Sequence, residues 1–568
     1  MSTFERNASS PWRWVARWPF RSANLRFMLA AFGTGAIVLA AVLVALKQAD
    51  RPVTLEAVTL SSETRPSVAR LSGYPFWPVR ASNEPARPNL SLLAFVSRVA
   101  TMSHTHQTAK ALHDLGIAYL ILGRADGAVA TLEKAIQVET ARPDVEHALI
   151  ASRNVTALCD LSAAYFTQGE KGGARYAIVK ALNAAERAWN IRRDPVAAWN
   201  RAIALHALKQ NAAAARAWRD VQDVEPDPAW RREAVLLAKN ERAAAISNDR
   251  PDLLRKEVVN TLIPAWAEAL ERGDLKKGDA LMARAIVIGR QLQTRRHNGA
   301  VAALLLSLQG ERQRQVLPLF TRLKLASKES SHARRSKILA ATAAAFKRVG
   351  SPYGRYVAVA ATREAFYANE LEQVHSLCHT WLREVDERSD PAVQGELRWL
   401  NALSLLATGG AGEAVLSYEG AVTELTSVGE GASAAGALAR LAEAEDYIGA
   451  SSDAWDARVR SLGLALAAGD SRTFALNTYA AAAAAADAHL PFAALALSVS
   501  IEHRPDVLRV DVPLLRANVL RDLGETERAC LNIAAALEEA ERELSAEVKA
   551  RFQADAELAL GDCAAKER

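Results

Sequence analysis

Cysteines, aromatic residues and a surplus of either charge are all scarce in this sequence of 568 residues. The cysteines are Cys159, Cys378, Cys530 and Cys563, and their wide separation excludes both the paired spacing of structural zinc sites and a framework of disulfides. Aromatic residues make up only 6% although 50% of the residues are hydrophobic, so alanine and leucine, both strong helix formers, carry the apolar fraction. This composition favours closely packed helices over β-sandwiches, which are rich in aromatic and β-branched residues.

The net charge of +6 is small for this length and comes mostly from the N-terminal segment. Because no basic stripe runs along the rest of the chain, we expect no nucleic-acid binding. Catalytic motifs are also lacking, since the sequence has no GxxxxGK[ST], GxSxG, HExxH or paired CxxC. The glycine-rich stretch Gly431–Gly436 lacks the lysine that would reach a phosphate. We therefore predict a protein that is not an enzyme and holds no cofactor or metal.

The nearest approach to a metal site is the trio His375, Cys378 and His379. At positions i, i+3 and i+4 of a predicted helix, the three side chains share one face, as soft metal ligands could. No fourth ligand is evident, and a histidine pair flanking a buried cysteine explains the trio more simply. A metal-dependent enzyme that uses these residues is the third of three functional hypotheses.

One hydrophobic run is long, because residues 27–46 contain no charge. A helix of twenty residues spans about 30 Å, the thickness of the hydrocarbon core of a bilayer. The arginines that precede the run place the N-terminus in the cytoplasm by the positive-inside rule. We predict a cytoplasmic Arg/Trp-rich segment (1–26), a single transmembrane helix (27–46) and all later residues across the membrane. A buried core helix and a cleaved signal peptide are the alternatives.

A pattern of two short helices is first complete in residues 111–138. The first helix carries Leu112, Leu115, Gly116 and Tyr119 on one face. Gly123 ends this helix, and the second helix carries Ala128, Leu132 and Ala135. Small residues let the helices approach closely, and the bulky ones fill the remaining space. This is the tetratricopeptide pattern, a helical hairpin of about 34 residues. Because one hairpin cannot bury its apolar face alone, stacked hairpins build a continuous core.

The same spacing returns later in the chain. A glycine stands five residues before the small residue of a second helix in the pairs Gly123 and Ala128, Gly409 and Ala414, Gly449 and Ala454, and Gly524 and Ala529. Ala493 continues the series without a glycine. In the second hairpin Tyr165 precedes Ala188 by twenty-three residues instead of sixteen, which predicts a seven-residue loop insertion around residues 169–176.

The predicted fold is therefore all-α: a tetratricopeptide-type α-solenoid of antiparallel helical hairpins, preceded by a single transmembrane helix and an extended linker. Beyond the membrane segment, the predicted domains are a Pro-rich linker (47–92), N-terminal tetratricopeptide repeats (93–228), divergent helical repeats (229–390) and C-terminal tetratricopeptide-like repeats (391–568). The linker run 71–80 is too aromatic for a spacer, so we expect it to pack against the first helices.

Four parts of the sequence together resemble the N-terminal part of bacterial CHAT-domain proteins. They are the run RLSGYPFWPVR (70–80), the opening repeat, residues 159–169 with the later helix 181–188, and the repeats from Trp399 to Ala540. Those proteins are tetratricopeptide arrays followed by a caspase-like peptidase domain with a His/Cys pair. The resemblance covers most of residues 65–568 and implies a bacterial protein. With the membrane helix 27–46 and the positive-inside rule, we therefore predict a location in the inner membrane with the repeats on the periplasmic side. The peptidase half is absent from this sequence, so the resemblance assigns no catalytic residue.

The leading hypothesis is a membrane-anchored repeat scaffold whose concave surface, lined by the first helices, binds a partner protein or peptide. Candidate contact residues are His113, Asp114 and Ala118, at non-signature positions of the opening first helix. The alternative is the sensor or regulatory portion of a CHAT-type protease system whose catalytic domain is missing or separately encoded.

Overall fold

The computed structural model describes residues 68–76, 90–105, 108–141, 147–243, 251–294, 300–309, 313–384, 390–501 and 508–543. All regular structure in these ranges is helical, which confirms the all-α prediction. The chain divides into two compact units, residues 1–62 with 87–95 and residues 63–86 with 96–568. The second unit contains the helical hairpins discussed below, and the predicted domain boundaries within it stay predictions.

Where the structure describes the residues between two helices, short turns join them. The N-terminal helices are α1 (Leu90–Thr105), α2 (Ala109–Ile121), α3 (Ala125–Thr140), α4 (His147–Gly172), α5 (Arg175–Ile191), α6 (Pro195–Ala207), α7 (Asn211–Val224) and α8 (Pro228–Ala243). The middle helices are α9 (Pro251–Glu257), a π-helical turn (Val258–Leu262), α10 (Ile263–Glu271), α11 (Leu275–Thr294), α12 (Ala300–Gln309), α13 (Gln313–Lys328), α14 (His332–Arg348), α15 (Tyr353–Tyr367) and α16 (Leu371–Glu384). The C-terminal helices are α17 (Pro391–Ala407), α18 (Ala411–Ser427), α19 (Gly431–Tyr447), α20 (Ser451–Ala467), α21 (Ser471–Asp487), α22 (Pro491–Val499), α23 (Asp511–Asp522) and α24 (Thr526–Glu543).

Small residues bring paired helices into contact, as the sequence predicts. A Cβ atom added to Gly116 in α2 would lie 2.6 Å from Cγ of Leu132 in α3, so only glycine permits this approach. Leu132 and Ala128 are both fully buried at this contact. Burial of a leucine side chain contributes roughly 2 kcal/mol, and the stacked hairpins repeat this kind of contact along the chain.

Many of the described turns contain one residue in the left-handed backbone conformation, which glycine adopts most easily. Gly123 (φ 76°) and Gly449 (φ 79°) fill this position, five residues before Ala128 and Ala454. At the corresponding position in the next C-terminal hairpin stands His489 (φ 57°), which carries a side chain. The register residue of α22 is therefore Ala494, five residues after His489, and not Ala493 as the sequence pattern indicated.

The C-terminal hairpins are longer than the predicted repeat. Left-handed residues recur every twenty positions there, at Gly409, Gly429, Gly449, Gly469 and His489. Each complete helix between them has 17 residues. A hairpin in this region consequently occupies forty residues, compared with the expected length of about 34.

The predicted loop insertion around residues 169–176 is wrong. Helix α4 continues to Gly172, and only Gly173 and Ala174 separate it from α5. Gly173 has φ 70° and stands five residues before the buried Ile178, so the second helix begins in the usual register. Four additional residues lengthen the first helix, because Gly173 follows Tyr165 by eight positions whereas Gly123 follows Tyr119 by four.

Two second helices that are distant in sequence also touch. The side-chain Oδ1 of Asn183 in α5 accepts hydrogen bonds from the backbone N–H groups of Phe492 (3.0 Å) and Ala493 (3.2 Å) at the start of α22. Close by, the rings of Tyr176 and Trp455 are stacked with centroids 6.2 Å apart. Solenoid repeats usually contact only their neighbours, so this contact is a tertiary link that a repeat pattern does not predict.

The predicted localisation in the bacterial inner membrane needs correction. Across the part of the chain that the structure describes, no helix combines the length and the apolar character needed to cross a bilayer. The run 27–46, on which the membrane anchor and the periplasmic side of the repeats depended, lies outside the described residues. Membrane anchoring is therefore not part of the function proposed below.

Candidate functional site

The aromatic linker segment Val68–Phe76 lies across the first helices of the N-terminal repeats, which confirms the expected packing for these residues. The indole Nε1 of Trp199 in α6 donates a hydrogen bond to the main-chain oxygen of Val68 (3.0 Å). Next to it, Asn200 accepts from the backbone N–H of Arg70 (2.8 Å) and donates to the carbonyl oxygen of Arg70 (2.9 Å). One buried carboxamide thus holds both main-chain groups of one residue, as a neighbouring β-strand would.

The next residues of the segment contact a buried carboxylate in α4. The backbone N–H of Ser72 donates to Oδ1 of Asp160 (2.7 Å), and Oδ2 of Asp160 lies 2.9 Å from Nε2 of His113. Burial lowers the pKa of His113, but its interactions with Asp114 and Asp160 outweigh burial and raise the pKa to about 9. The imidazole is therefore a cation at neutral pH, and it donates to Asp160.

An arginine anchors the segment on its other side. The guanidinium of Arg70 pairs with Glu225, whose side chain is 0% exposed, and lies over the ring of Trp230 at 4.5 Å from its centroid. Phe76 meets Trp230 edge-on, with ring centroids 5.2 Å apart. A buried carboxylate is stable only with a close cation and hydrogen bonds. We call the surface that holds the segment the N-terminal groove, formed by Asp160, Trp199, Asn200, Glu225 and Trp230.

The three sequence-predicted contact residues differ in exposure. The side chains of His113 and Asp114 are 21% and 29% exposed, and His113 lies at the edge of the N-terminal groove through its bond to Asp160. Ala118 is fully buried, so it has no surface to offer a partner. His113 and Asp114 stay predictions as contacts of a partner.

Sequence reasoning missed the residues that bind the segment, above all Asp160, Asn200 and Glu225. All three are polar yet buried, with whole-residue exposures of 0%, 1% and 1%. Asp160 and Asn200 interrupt apolar helix faces, and such an interruption is the one sequence feature that could have identified them.

The C-terminal repeats carry an equivalent tryptophan. Trp399 in α17 precedes Ala414 by fifteen residues, as Trp199 precedes Ala214. Its indole Nε1 is buried, but finds no hydrogen-bond partner within the described ranges. Beside it lies a cavity of about 830 Å³. We call this surface the C-terminal groove, lined from three successive first helices by Trp399, Gly436, Ala439, Arg440, Glu443, Tyr447, Leu476 and Tyr479.

Glycine and charge shape the C-terminal groove. A Cβ atom added to Gly436 would lie 2.9 Å from Cη2 of Trp399, so glycine lets the indole lie against α19. This glycine ends the stretch whose sequence lacked a phosphate-binding lysine, and its role is packing. Arg440 pairs with Glu443 at 2.7 Å, and Tyr447 is 78% exposed at the end of α19. The groove therefore offers solvated charges and an exposed aromatic ring.

The trio considered as a metal site does not converge. Cys378 is fully buried and its Sγ donates to the carbonyl oxygen of Leu397 (3.3 Å), whereas His375 and His379 are exposed. Burial raises the pKa of the Cys378 thiol to about 12. Of the other cysteines, Cys159 is a buried free thiol, whereas Cys530 is disulfide-bonded, which corrects the expectation that wide separation keeps the cysteines from forming disulfides.

Comparisons with known proteins add little to this geometry. No family model matches the chain, and no curated protein matches it. The APC/C hetero-tetramer Cut9–Hcn1 is similar at 12% identity over 83% of this chain and 87% of that chain, with a TM-score of 0.32. The Naa15/Naa10 structure bound to HypK-THB is similar at 14% identity over 82% of each chain, with a TM-score of 0.25. Similarities this weak carry no argument, so the assignment to helical hairpin repeats rests on the helix pairing described above.

Proposed function

We propose that this protein is a non-catalytic repeat scaffold that binds an extended segment of a partner protein on the first-helix face of its repeats. One observation supports the proposal above others: this face already holds the irregular segment Val68–Phe76 in the N-terminal groove. Four main-chain atoms of that segment, in Val68, Arg70 and Ser72, are bonded by side chains of the first helices. Such bonding recognises a peptide backbone regardless of most of its side chains.

The C-terminal groove is the proposed partner site. A buried indole N–H without a partner costs about 1–3 kcal/mol, and a main-chain carbonyl placed against Trp399 would recover that cost. The cavity of about 830 Å³ lies within the range of roughly 300–1,000 Å³ that is usual for binding clefts. Tyr447 is the exposed aromatic anchor of the groove, and aromatic anchors dominate binding energy at interfaces.

A peptide selection tests this proposal. Random peptides displayed on phage are selected on the full chain and then measured on two variants, Tyr447→Ala and Leu416→Ala. Leu416 is 70% exposed on the second helix α18, so its variant is the matched control outside the groove. We expect enriched peptides that lose at least ten-fold in affinity on Tyr447→Ala and keep their affinity on Leu416→Ala. No enrichment, or equal loss on both variants, would contradict the proposal.

The absence of catalysis is part of the proposal. Burial raises the pKa of the Cys159 thiol well above its usual value and that of Cys378 to about 12, so neither side chain is a reactive thiolate at neutral pH. Within the described residues, no group of three or more His, Cys, Asp or Glu side chains is arranged to hold a metal ion.

The regulatory portion of a CHAT-type protease system is the second candidate. It rests on the resemblance of the run 70–80, the most specific part of the resemblance, to the segment that precedes the repeats in those proteins. Sequencing the genes beside this one tests it. A neighbouring frame that encodes a caspase-like domain with a His/Cys pair supports this function, and neighbours unrelated to peptidases count against it.

A further inference from the structure

We propose that the N-terminal groove is a second peptide-binding site, specific for extended segments that carry an arginine, and that residues 68–76 occupy it as a displaceable ligand within the same chain. This inference rests on the proposed function, since it assigns a second site and a ligand class to the same first-helix face. The ligand is a segment of another protein whose residues present the same groups as the chain's own segment.

The groove contains two buried carboxylates: Asp160 is paired with His113 of α2, whereas Glu225 takes its cation from the segment. The side chains of Asp160 and Glu225 are both 0% exposed. The segment supplies the guanidinium of Arg70 to Glu225 and the N–H of Ser72 to Asp160. Removal of the segment without replacement leaves a buried carboxylate without its cation, which is strongly unfavourable. Exchange therefore favours a ligand that brings an arginine and a free backbone N–H two residues later.

Apolar side chains of the segment complete the ligand definition. Leu71 and Tyr74 are only 4% and 6% exposed, and Phe76 packs edge-on against Trp230. The ligand class is thus an arginine followed directly by a hydrophobic residue, with aromatic residues four and six positions after the arginine. Contacts to main-chain atoms by Trp199 and Asn200 add affinity that does not depend on sequence.

Residues 68–76 occupy the N-terminal groove because they belong to the same chain as the repeats. A ligand that belongs to the same chain as its site binds intramolecularly, at an effective concentration that a free peptide must exceed to replace it. A free peptide with the same sequence consequently competes poorly against the intact chain. It binds well only where the own segment has lost its arginine or its backbone N–H.

The experiment uses a fluorescent synthetic peptide that contains residues 66–78 and measures its polarisation with full-length protein. Three proteins are compared: wild type, Arg70→Glu and Ser72→Pro. The first substitution places a second negative charge against Glu225, and the second removes the N–H donated to Asp160. We expect both variants to bind the peptide at least ten-fold more tightly than wild type does. Addition of Asn200→Ala to either variant, or of Arg70→Glu to the peptide, should reduce binding at least ten-fold.

Every other outcome overturns the inference. Equal binding to wild type and variants means that the chain's own segment does not compete with the peptide for the groove. No binding to variants whose circular dichroism shows folded helices means that the groove does not accept ligands in trans. If neither variant folds and the peptide does not restore its helices, residues 68–76 are a fixed part of the core. Tyr447→Ala, which disrupts the C-terminal groove, should leave peptide binding to Ser72→Pro unchanged, so failure here is distinguishable from failure of the proposed function.

Discussion

The two grooves each have a tryptophan at the same repeat position, but one is covered by a peptide segment and the other lies beside a cavity. Trp199 is fully buried between Trp218 and Trp230, with its N–H bonded to the segment that covers it. Trp399 is partly exposed beside a cavity, and its buried N–H has no partner in the described ranges. One repeat architecture therefore forms an interior where a peptide segment covers it and an open surface where the described residues provide no cover.

Charge differs between the grooves in the same way. The N-terminal groove pairs a wholly buried Glu225 with Arg70, which is 11% exposed. In the C-terminal groove, Arg440 and Glu443 form a pair whose side chains are 51% and 34% exposed. Exposed pairs contribute about 0–1 kcal/mol, whereas loss of one member of a buried pair costs about 3–5 kcal/mol. The N-terminal groove should consequently be far more sensitive to substitution.

The largest expected effect is on the buried ion pair. Arg70→Ala leaves the Glu225 carboxylate buried without its cation, so the free energy of unfolding should fall by about 3–5 kcal/mol in urea titrations. The matched control is Arg398→Ala in the C-terminal repeats, because Arg398 pairs with Glu424 at 2.8 Å but is 34% exposed. That control should cost less than about 1 kcal/mol. Equal losses of unfolding free energy for Arg70→Ala and Arg398→Ala would contradict the claim that the ion pair of the N-terminal groove is the more sensitive one.

The second effect is a pH dependence at the N-terminal groove. His113 keeps its proton in the folded chain up to pH about 9, whereas an unfolded chain releases it near pH 6.5. This contribution to stability is complete below pH 6.5 and is lost as pH rises towards 9, with an upper limit of about 3 kcal/mol. His113→Gln should flatten the decline of stability with pH over that window. Superimposable profiles for the variant and wild type would contradict the assignment of the charge.

The third effect concerns the carboxamide that holds the segment backbone. Asn200→Ala removes hydrogen bonds to both main-chain groups of Arg70 and to the carbonyl oxygen of Cys159, and should cost about 2 kcal/mol in chemical unfolding. Asn401→Ala is the comparison in the C-terminal repeats. Asn401 is half-buried and bonded to His375 and Ser417 at 3.1 and 3.5 Å, so its loss should cost under about 1 kcal/mol. A larger loss of unfolding free energy for Asn401→Ala than for Asn200→Ala would show that Asn200 does not hold the segment in place.

The smallest expected effect separates the two tryptophans. Trp199→Phe loses a buried hydrogen bond and should lower the free energy of unfolding by about 1–2 kcal/mol. Trp399→Phe removes an N–H that has no partner in the described residues. Its loss of unfolding free energy, measured for both variants by thermal unfolding, should therefore be smaller than that of Trp199→Phe. A larger loss for Trp399→Phe would mean that its indole is bonded in solution to a group that the described residues do not include.

The hairpins could be predicted from sequence where glycine marks their turns. A left-handed residue favours glycine strongly, so Gly123, Gly409, Gly449 and Gly524 identify their hairpins. Asn369 and His489 occupy the same conformation with side chains present, and no glycine pattern can find them. The register of α22 escaped prediction for that reason, whereas the forty-residue spacing of Ala414 and Ala454 is visible in the sequence.

The candidate sites depend on pairings that a linear pattern does not contain. A polar residue in an apolar helix face, such as Asn200, shows that a partner is needed but not that the partner is Arg70, 130 residues earlier. The contact of Asn183 with Phe492 spans 309 residues and likewise has no counterpart in the repeat spacing. The aromatic character of residues 71–76 did indicate packing, because such a run is costly to leave in water.

Amide hydrogen exchange of the segment 68–76 tests the central claim most directly. In the folded chain the backbone N–H groups of Arg70 and Ser72 donate to buried side chains of the first helices. We predict that both amides exchange as slowly as those of helix α6, and that Asn200→Ala accelerates the exchange of Arg70 before that of the helix. Exchange of these amides in wild type at the rate of an unstructured peptide would contradict the claim that the first-helix face binds peptide segments.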